Sequence, residues 1–255
     1  MTLRHHFQRV APVYESLRTT DEAPVRWIRE FLPSDRAVTG IDVGCGTGRY
    51  SRLLRALLPD GSLLVAGDAS AAMLAELQQL RAGSGIVPLL HAAEELPFHA
   101  GSLDLVTSFN AVHHFDLGRF LASAARVLRR GGHLFVYTRT PEQNAETIWG
   151  RYFPGFVERE QRLHSERALR AAVRRSSGLS LLAMQTFRCP RSSTPERLLA
   201  QVEGRHYSTF SLYTPEELAA AIEVFLARLP LGEVSWEDQY LLLVARRNRR
   251  AGQGL

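Results

Sequence analysis

Ile41-Asp42-Val43-Gly44-Cys45-Gly46-Thr47-Gly48 places three alternating glycines just after a short apolar run and just before residues with helical spacing. Such a turn lets the backbone pass close to a bound molecule, because glycine tolerates tight geometry and has no Cβ to collide with a nucleoside. N–H groups at the start of the following helix are further donors. Two phosphate-binding readings fail on the residues. A dinucleotide fingerprint needs a third glycine where Arg49 or, in the other register, Ser51 stands, and a P-loop needs a lysine in a chain that has none. Asp42, directly ahead of the glycines, suits a cationic amine or sulfonium better than a pyrophosphate. Asp68 closes the next apolar run, where a carboxylate accepts hydrogen bonds from both ribose hydroxyls, or where Asp simply leads into a helix.

His113 and His114 follow a fourth apolar run and, with His206, are general-base candidates for a hydroxyl or an acidic carbon; equally, paired histidines there can hydrogen-bond the loop. Trp149, Tyr152, Phe153, Phe156, Tyr207 and Phe210 suit either an apolar pocket for an aromatic, quinone-like or lipid-like small molecule, or ordinary packing of a cap. Cys45 and Cys189 are far apart and lack clustered histidines, so neither a disulfide nor a metal site is expected.

Positioning these groups takes alternating elements. Strands are predicted over 38–43, 63–66, 86–90, 103–109 and 134–137, with helices over 49–58, 71–80 and 120–128, and with Gly131-Gly132 ending the last of these. That rhythm implies parallel strands joined by right-handed crossovers. Beyond Thr140 helices are expected over 168–173, 195–202 and 215–229, and strands over 179–187 and 239–245. The resulting division is an α/β core over 1–140 including a leading helix, a helical cap over 141–178, the last strands with a cap insertion over 179–246, and a basic tail over 247–255.

The 255 residues, 45% hydrophobic and 22% charged, suit one main domain. Of the net charge of +5, Arg246, Arg247, Arg249 and Arg250 supply four, leaving a nearly neutral body rather than the basic working face of a nucleic-acid protein. No apolar stretch at the start suits a signal or a membrane span, so a cytoplasmic protein without membrane insertion is expected.

From about Phe7 to Arg139 the chain resembles the class I S-adenosylmethionine-dependent methyltransferases, especially the group of quinone-biosynthesis C-methyltransferases. The resemblance rests on the order and spacing of DVGCGTG, VAGDAS, AEELPF, SLDLVTSFNAVHHF and LRRGGHLFVYTR. It implies a doubly wound, seven-stranded, mostly parallel sheet of Rossmann-like form with its final strand antiparallel, a helical substrate cap, and S-adenosylmethionine as cofactor. On the same basis Asp42 and the backbone of Gly44, Cys45, Gly46 and Gly48 hold the methionine part, Asp68 the ribose, and Ala69 flanks adenine. Relatives often carry Asp where Ala92 stands, which leaves adenine to Ala93 or Glu94. Asn110 closes over the methionine end, Tyr14 approaches the donor or sits on a plain amphipathic helix, and His114 holds the stronger family position of the two histidines. The implied activity is methyl transfer to a small-molecule acceptor. RNA modification through Arg170, Arg174, Arg175 and the tail, or donor binding without catalysis, are the alternatives. Asp68→Ala is expected to weaken donor binding by about 1–3 kcal/mol, read by calorimetry on folded protein.

Overall fold

The computed structural model describes residues 9–11, 14–15, 17–80 and 85–248. Seven strands form one sheet in the order β3-β2-β1-β4-β5-β7-β6. They are β1 (Thr39–Val43), β2 (Leu63–Asp68), β3 (Ile86–Leu90), β4 (Leu103–Phe109), β5 (Leu128–Thr138), β6 (Leu179–Ser193) and β7 (Val234–Arg247). β1 to β5 pair in parallel, and β7 runs antiparallel to both neighbours, as the sequence implied. Every residue of β4 is buried, which is what a continuous apolar run in a sheet covered on both faces requires.

The two faces of the sheet hold separate cores. Leu134, Val136, Leu241 and Leu243 point to one face, together with residues of α4 (Leu117–Val127). Phe135, Tyr137, Leu242 and Val244 point to the other, against α1 (Ala23–Arg29) and α2 (Arg49–Leu57). α3 (Ala71–Leu80) packs Leu74 and Leu77 against Ala66 and Ile86. The strand order turns back between β1 and β4, so their carboxyl ends open into the crevice where doubly wound sheets take ligands.

The cap has its own core. α5 (Pro141–Ala145), α6 (Ile148–Tyr152), α7 (Phe156–Arg159), α9 (Pro195–Glu203) and α10 (Pro215–Arg228) surround Trp149, Phe153, Phe156, Phe210 and Phe225. Thr140 with Gln143 and Thr214 with Glu217 form capping boxes that start α5 and α10.

Three features differ from the sequence expectation. Gly131-Gly132 does not end a helix: α4 stops at Val127, and the glycines lie inside β5, where the pairing slips between Leu103 and Leu105. A Cβ on Gly132 would stand 2.9 Å from the Asp104 carbonyl oxygen, so the glycine marks close backbone approach at an irregularity. α8 (Glu166–Arg175), expected in the cap, instead buries Leu169 and Val173 in the sheet core beside α4. β6 and β7 are longer than expected, pairing from Leu179↔Arg247 out to Ser193↔Val234. The Arg tail from 249 onward lies outside the described residues.

A largely buried ionic link joins the stretch before α1 to β6, β7 and the residue that follows β5. Arg191 on β6 lies 2.8 Å from Asp21 and 3.4 Å from Asp238 on β7, and Asp238 is also 3.3 Å from Arg139 beyond β5. Removing one partner of such a set leaves a charge buried without compensation. Asp238→Ala is therefore expected to cost roughly 3–5 kcal/mol, measured as a lowered urea midpoint.

Candidate functional site

The glycine turn is held by the end of β2. The Gly67 carbonyl accepts from the N–H groups of Gly44 (2.8 Å) and Cys45 (3.0 Å). Asp68 Oδ2 accepts from Gly46 N–H and Oδ1 from Ser70 N–H, both at 2.8 Å. These three turn amides are therefore spent on β2. What faces outward is the Cα side of Gly46, at φ 56°, where an added Cβ would have no neighbour nearer than Tyr14 Cε1 at 3.9 Å. At Gly44, by contrast, a Cβ would stand 2.6 Å from that of Ala111, so that glycine serves packing.

A cavity of about 540 Å³ opens there. Tyr14, Gly44, Cys45, Gly46, Asp68, Ala69, Ala93, Glu94, Asn110 and His114 all border it, so most of the sequence-derived site converges on one space. Each Asp68 oxygen accepts one backbone N–H and keeps capacity for a hydroxyl donor. Burial raises the pKa of this carboxyl, against the lowering effect of its bonds from Gly46 and Ser70. Burial also pushes up the Cys45 thiol, leaving it protonated. Glu94 Oε1 accepts from Asp116 N–H at 2.9 Å, which fixes the loop after β3 to the start of α4. Asn110 has φ 55°, a left-handed conformation that Asn adopts more readily than most residues, and its N–H donates to the Tyr137 carbonyl at 2.7 Å.

Asp42 and Gly48 do not border the cavity. Asp42 is 1% exposed and lies beneath the turn, accepting from Ser51 Oγ (2.5 Å) and Thr107 Oγ1 (2.9 Å). Its carboxylate therefore ties β1 to α2 and β4 instead of facing a cationic ligand. Gly48 faces α3, where a Cβ would meet Leu77 Cδ1 at 2.3 Å.

The histidines separate by environment. His113 borders a second compartment of about 60 Å³ that shares lining residues with the main cavity. Burial, then the positive charges of Arg162, Arg18, His164 and Arg139, lower its pKa to about 3. At neutral pH it is an uncharged imidazole and a weak base, contrary to the role expected for it. His206 borders the main cavity with Nδ1 2.9 Å from the Gln201 carbonyl oxygen, and burial holds its pKa far below the usual value. His114 borders both spaces.

The aromatic residues divide between cap packing and the cavity wall. Phe153 and Phe210 are buried in the cap core; of the six aromatics, Trp149 and Tyr207 reach the main cavity, and Phe156 and Tyr207 the smaller one. The same side of the cavity also carries Arg18, Arg191, Arg197, Asp238 and Tyr240. Sequence reasoning missed these residues. Arg18 had a usable signal, since it lies four residues after Tyr14, whereas Arg191, Asp238 and Arg139 come together only through strand pairing. Among the described residues no cluster of His, Cys, Asp and Glu is arranged for a metal ion, and no helix is long and apolar enough to cross a membrane.

Asp42 also sets a pH dependence. Burial raises its pKa to about 7, opposed by the Ser51 and Thr107 bonds, so between about pH 4 and pH 7 the native state holds a proton that the unfolded chain has lost. Stability from this group falls as pH rises through that window. Relative to Asp42→Asn, the unmodified protein should lose on the order of 3 kcal/mol between pH 4.5 and 7.5, compared by urea unfolding at both pH values.

Residues 41–136 match the family described as "Methyltransferase domain". The malonyl-[acyl-carrier protein] O-methyltransferase of Dechloromonas aromatica is 34% identical over 139 residues, covering 54% of this chain and 51% of that protein. The Bos taurus protein named "Probable tRNA methyltransferase 9B" is 30% identical over 145 residues, 53% of this chain and 30% of its own. The chain thus spans about half the length, or less, of these relatives. Among solved structures, a geranyl diphosphate methyltransferase in complex with GPP and sinefungin shares the fold at a TM-score of 0.56 and 21% identity, covering 88% of this chain and 78% of its own. The matched stretch, residues 41–136, contains the glycine turn, Asp68 and most of the five parallel strands that position them.

Proposed function

We propose that this chain transfers a methyl group from S-adenosylmethionine to a small-molecule acceptor held between the strand ends and the cap. One observation carries the reading: a single cavity runs from the Gly46 turn and Asp68 to the cap residues Trp149, His206 and Tyr207. The residues suit the donor, since the open Cα side of Gly46 leaves room for it and Asp68 offers a carboxylate of the kind that takes ribose hydroxyls. When bound, the donor supplies a sulfonium methyl that an acceptor atom takes in line, the sulfur keeping the bonding electrons. The chain's own part is then largely positional: Asp68 and Glu94 fix the nucleoside side, Asn110 and Tyr14 border the methionine side, and the cap residues hold the acceptor. His114, the one histidine among the described residues that borders both spaces, is the candidate to orient the acceptor or take its proton. The narrower likeness to quinone-biosynthesis C-methyltransferases rests on the sequence motifs alone.

A second reading, RNA as acceptor, draws on the bovine relative's name and on α8, where Arg167, Arg170, Arg174 and Arg175 line a shallow groove. The cavity between the strand ends and the cap favours the small acceptor. Incubation with methyl-labelled donor and separate metabolite and RNA fractions should put label into small molecules. Label in RNA that falls steeply with added salt would favour the second reading, and donor binding without turnover would oppose both.

A further inference from the structure

The cavity holds a cation that its own carboxylates leave unbalanced. Tyr14, Arg18, Tyr207, Arg139 and Tyr240 form an alternating series of rings and guanidinium groups. Arg18 lies 5.1 Å from the centre of the Tyr14 ring and 4.3 Å from that of Tyr207; Arg139 lies 5.5 Å from Tyr207 and 4.6 Å from Tyr240. The series stands where the two spaces meet, since Tyr14, Arg18, Tyr207 and Tyr240 border both.

Its two cations differ in what they lack. Arg139 donates to the Tyr240 hydroxyl at 2.7 Å and lies 3.3 Å from Asp238. Arg18 has no carboxylate within ion-pair distance among the described residues, and its buried Nε has no hydrogen-bond partner. Glu160, the carboxylate of the smaller space, is already engaged by Arg162 and Thr209. Ring faces attract a guanidinium by only about 0.5–2 kcal/mol, so the half-buried Arg18 keeps capacity for an anion. The donor cannot supply the missing charge overall, because its ammonium and sulfonium outnumber its one carboxylate.

We propose that the methyl acceptor is a carboxylic acid bound as its carboxylate, with Arg18 as the specificity-determining residue that receives it. The guanidinium edge matches a planar carboxylate. The Tyr240 hydroxyl, which accepts from Arg139, keeps its own proton to donate to the same group. Arg18 borders the smaller space as well as the main cavity, so a carboxylate in either can reach it.

This inference rests on the methyl-transfer reading, and the experiment separates the two. Calorimetry with S-adenosylhomocysteine first tests the donor site alone; failure there sinks the methyl-transfer reading. With that site saturated, benzoate, hexanoate and succinate are compared with their primary amides and with phenyl phosphate as ligands, and the same compounds are offered with labelled donor as acceptors. The acids are expected to bind about tenfold more tightly than the amides, roughly 1.4 kcal/mol. Arg18→Gln should abolish that preference while leaving the affinity for S-adenosylhomocysteine and the melting temperature unchanged, and Arg18→Lys should restore part of it. With any acid that is turned over, the Gln variant should raise KM more than it lowers kcat. Equal binding of acids and amides, preference for the phosphate ester, or no saturable acid binding at millimolar concentration would overturn the proposal. So would an Arg18→Gln variant that loses donor binding and keeps the acid preference, since Arg18 would then hold the donor.

Discussion

Everything at the candidate site depends on how the turn after β1 is tied to the end of β2. Three consecutive amides, those of Gly44, Cys45 and Gly46, are taken up by the Gly67 carbonyl and the Asp68 carboxylate. One acidic side chain thus shapes the turn and also presents its remaining acceptor capacity to the cavity. A half-buried carboxylate accepting two N–H bonds loses little freedom when a ligand arrives, so this end of the cavity is formed in advance. Beneath it Asp42 repeats the device one layer down, joining β1 to α2 and β4 through two hydroxyls.

The opposite wall is built on different physics. Strand pairing between β5, β7 and β6 brings Arg139, Asp238 and Arg191 together, and Asp21 completes the set from the stretch before α1. Charges buried at this depth demand close partners, which fixes the cap side of the cavity against the sheet. The aromatic side chains of the cap do the complementary work of filling its core, and that is why few of them reach the cavity. The two sides of the cavity therefore meet as a polar turn facing a wall of paired charges.

What the sequence made legible follows from range. The glycine turn, Asp68 and the β–α alternation are local signals, and each was read from residues within one strand–turn–helix unit. Tyr14 was found through the resemblance, and the structure sets it beside Gly46. Asp42 was misjudged because its charge is visible in sequence but its burial under Ser51 and Thr107 is not. Gly131-Gly132 read as a helix stop because a glycine pair marks a strand irregularity and a helix end with the same letters. Trp149, Phe153 and Phe210 were compatible with a pocket or a core, and only the packing decides. The Arg139, Asp238 and Arg191 set was out of reach, since its members lie 47 or more residues apart.

The most direct measurement is a crystal structure of this chain grown with S-adenosylhomocysteine. Both ribose hydroxyls are expected within about 2.5–3.0 Å of the Asp68 carboxylate oxygens, with the homocysteine chain along Gly46 and the sulfur turned toward the space bordered by Arg18, His114 and Tyr240. Adenosine bound elsewhere, with Asp68 still holding only Gly46 and Ser70, would contradict the assignment of this turn and carboxylate as the donor site.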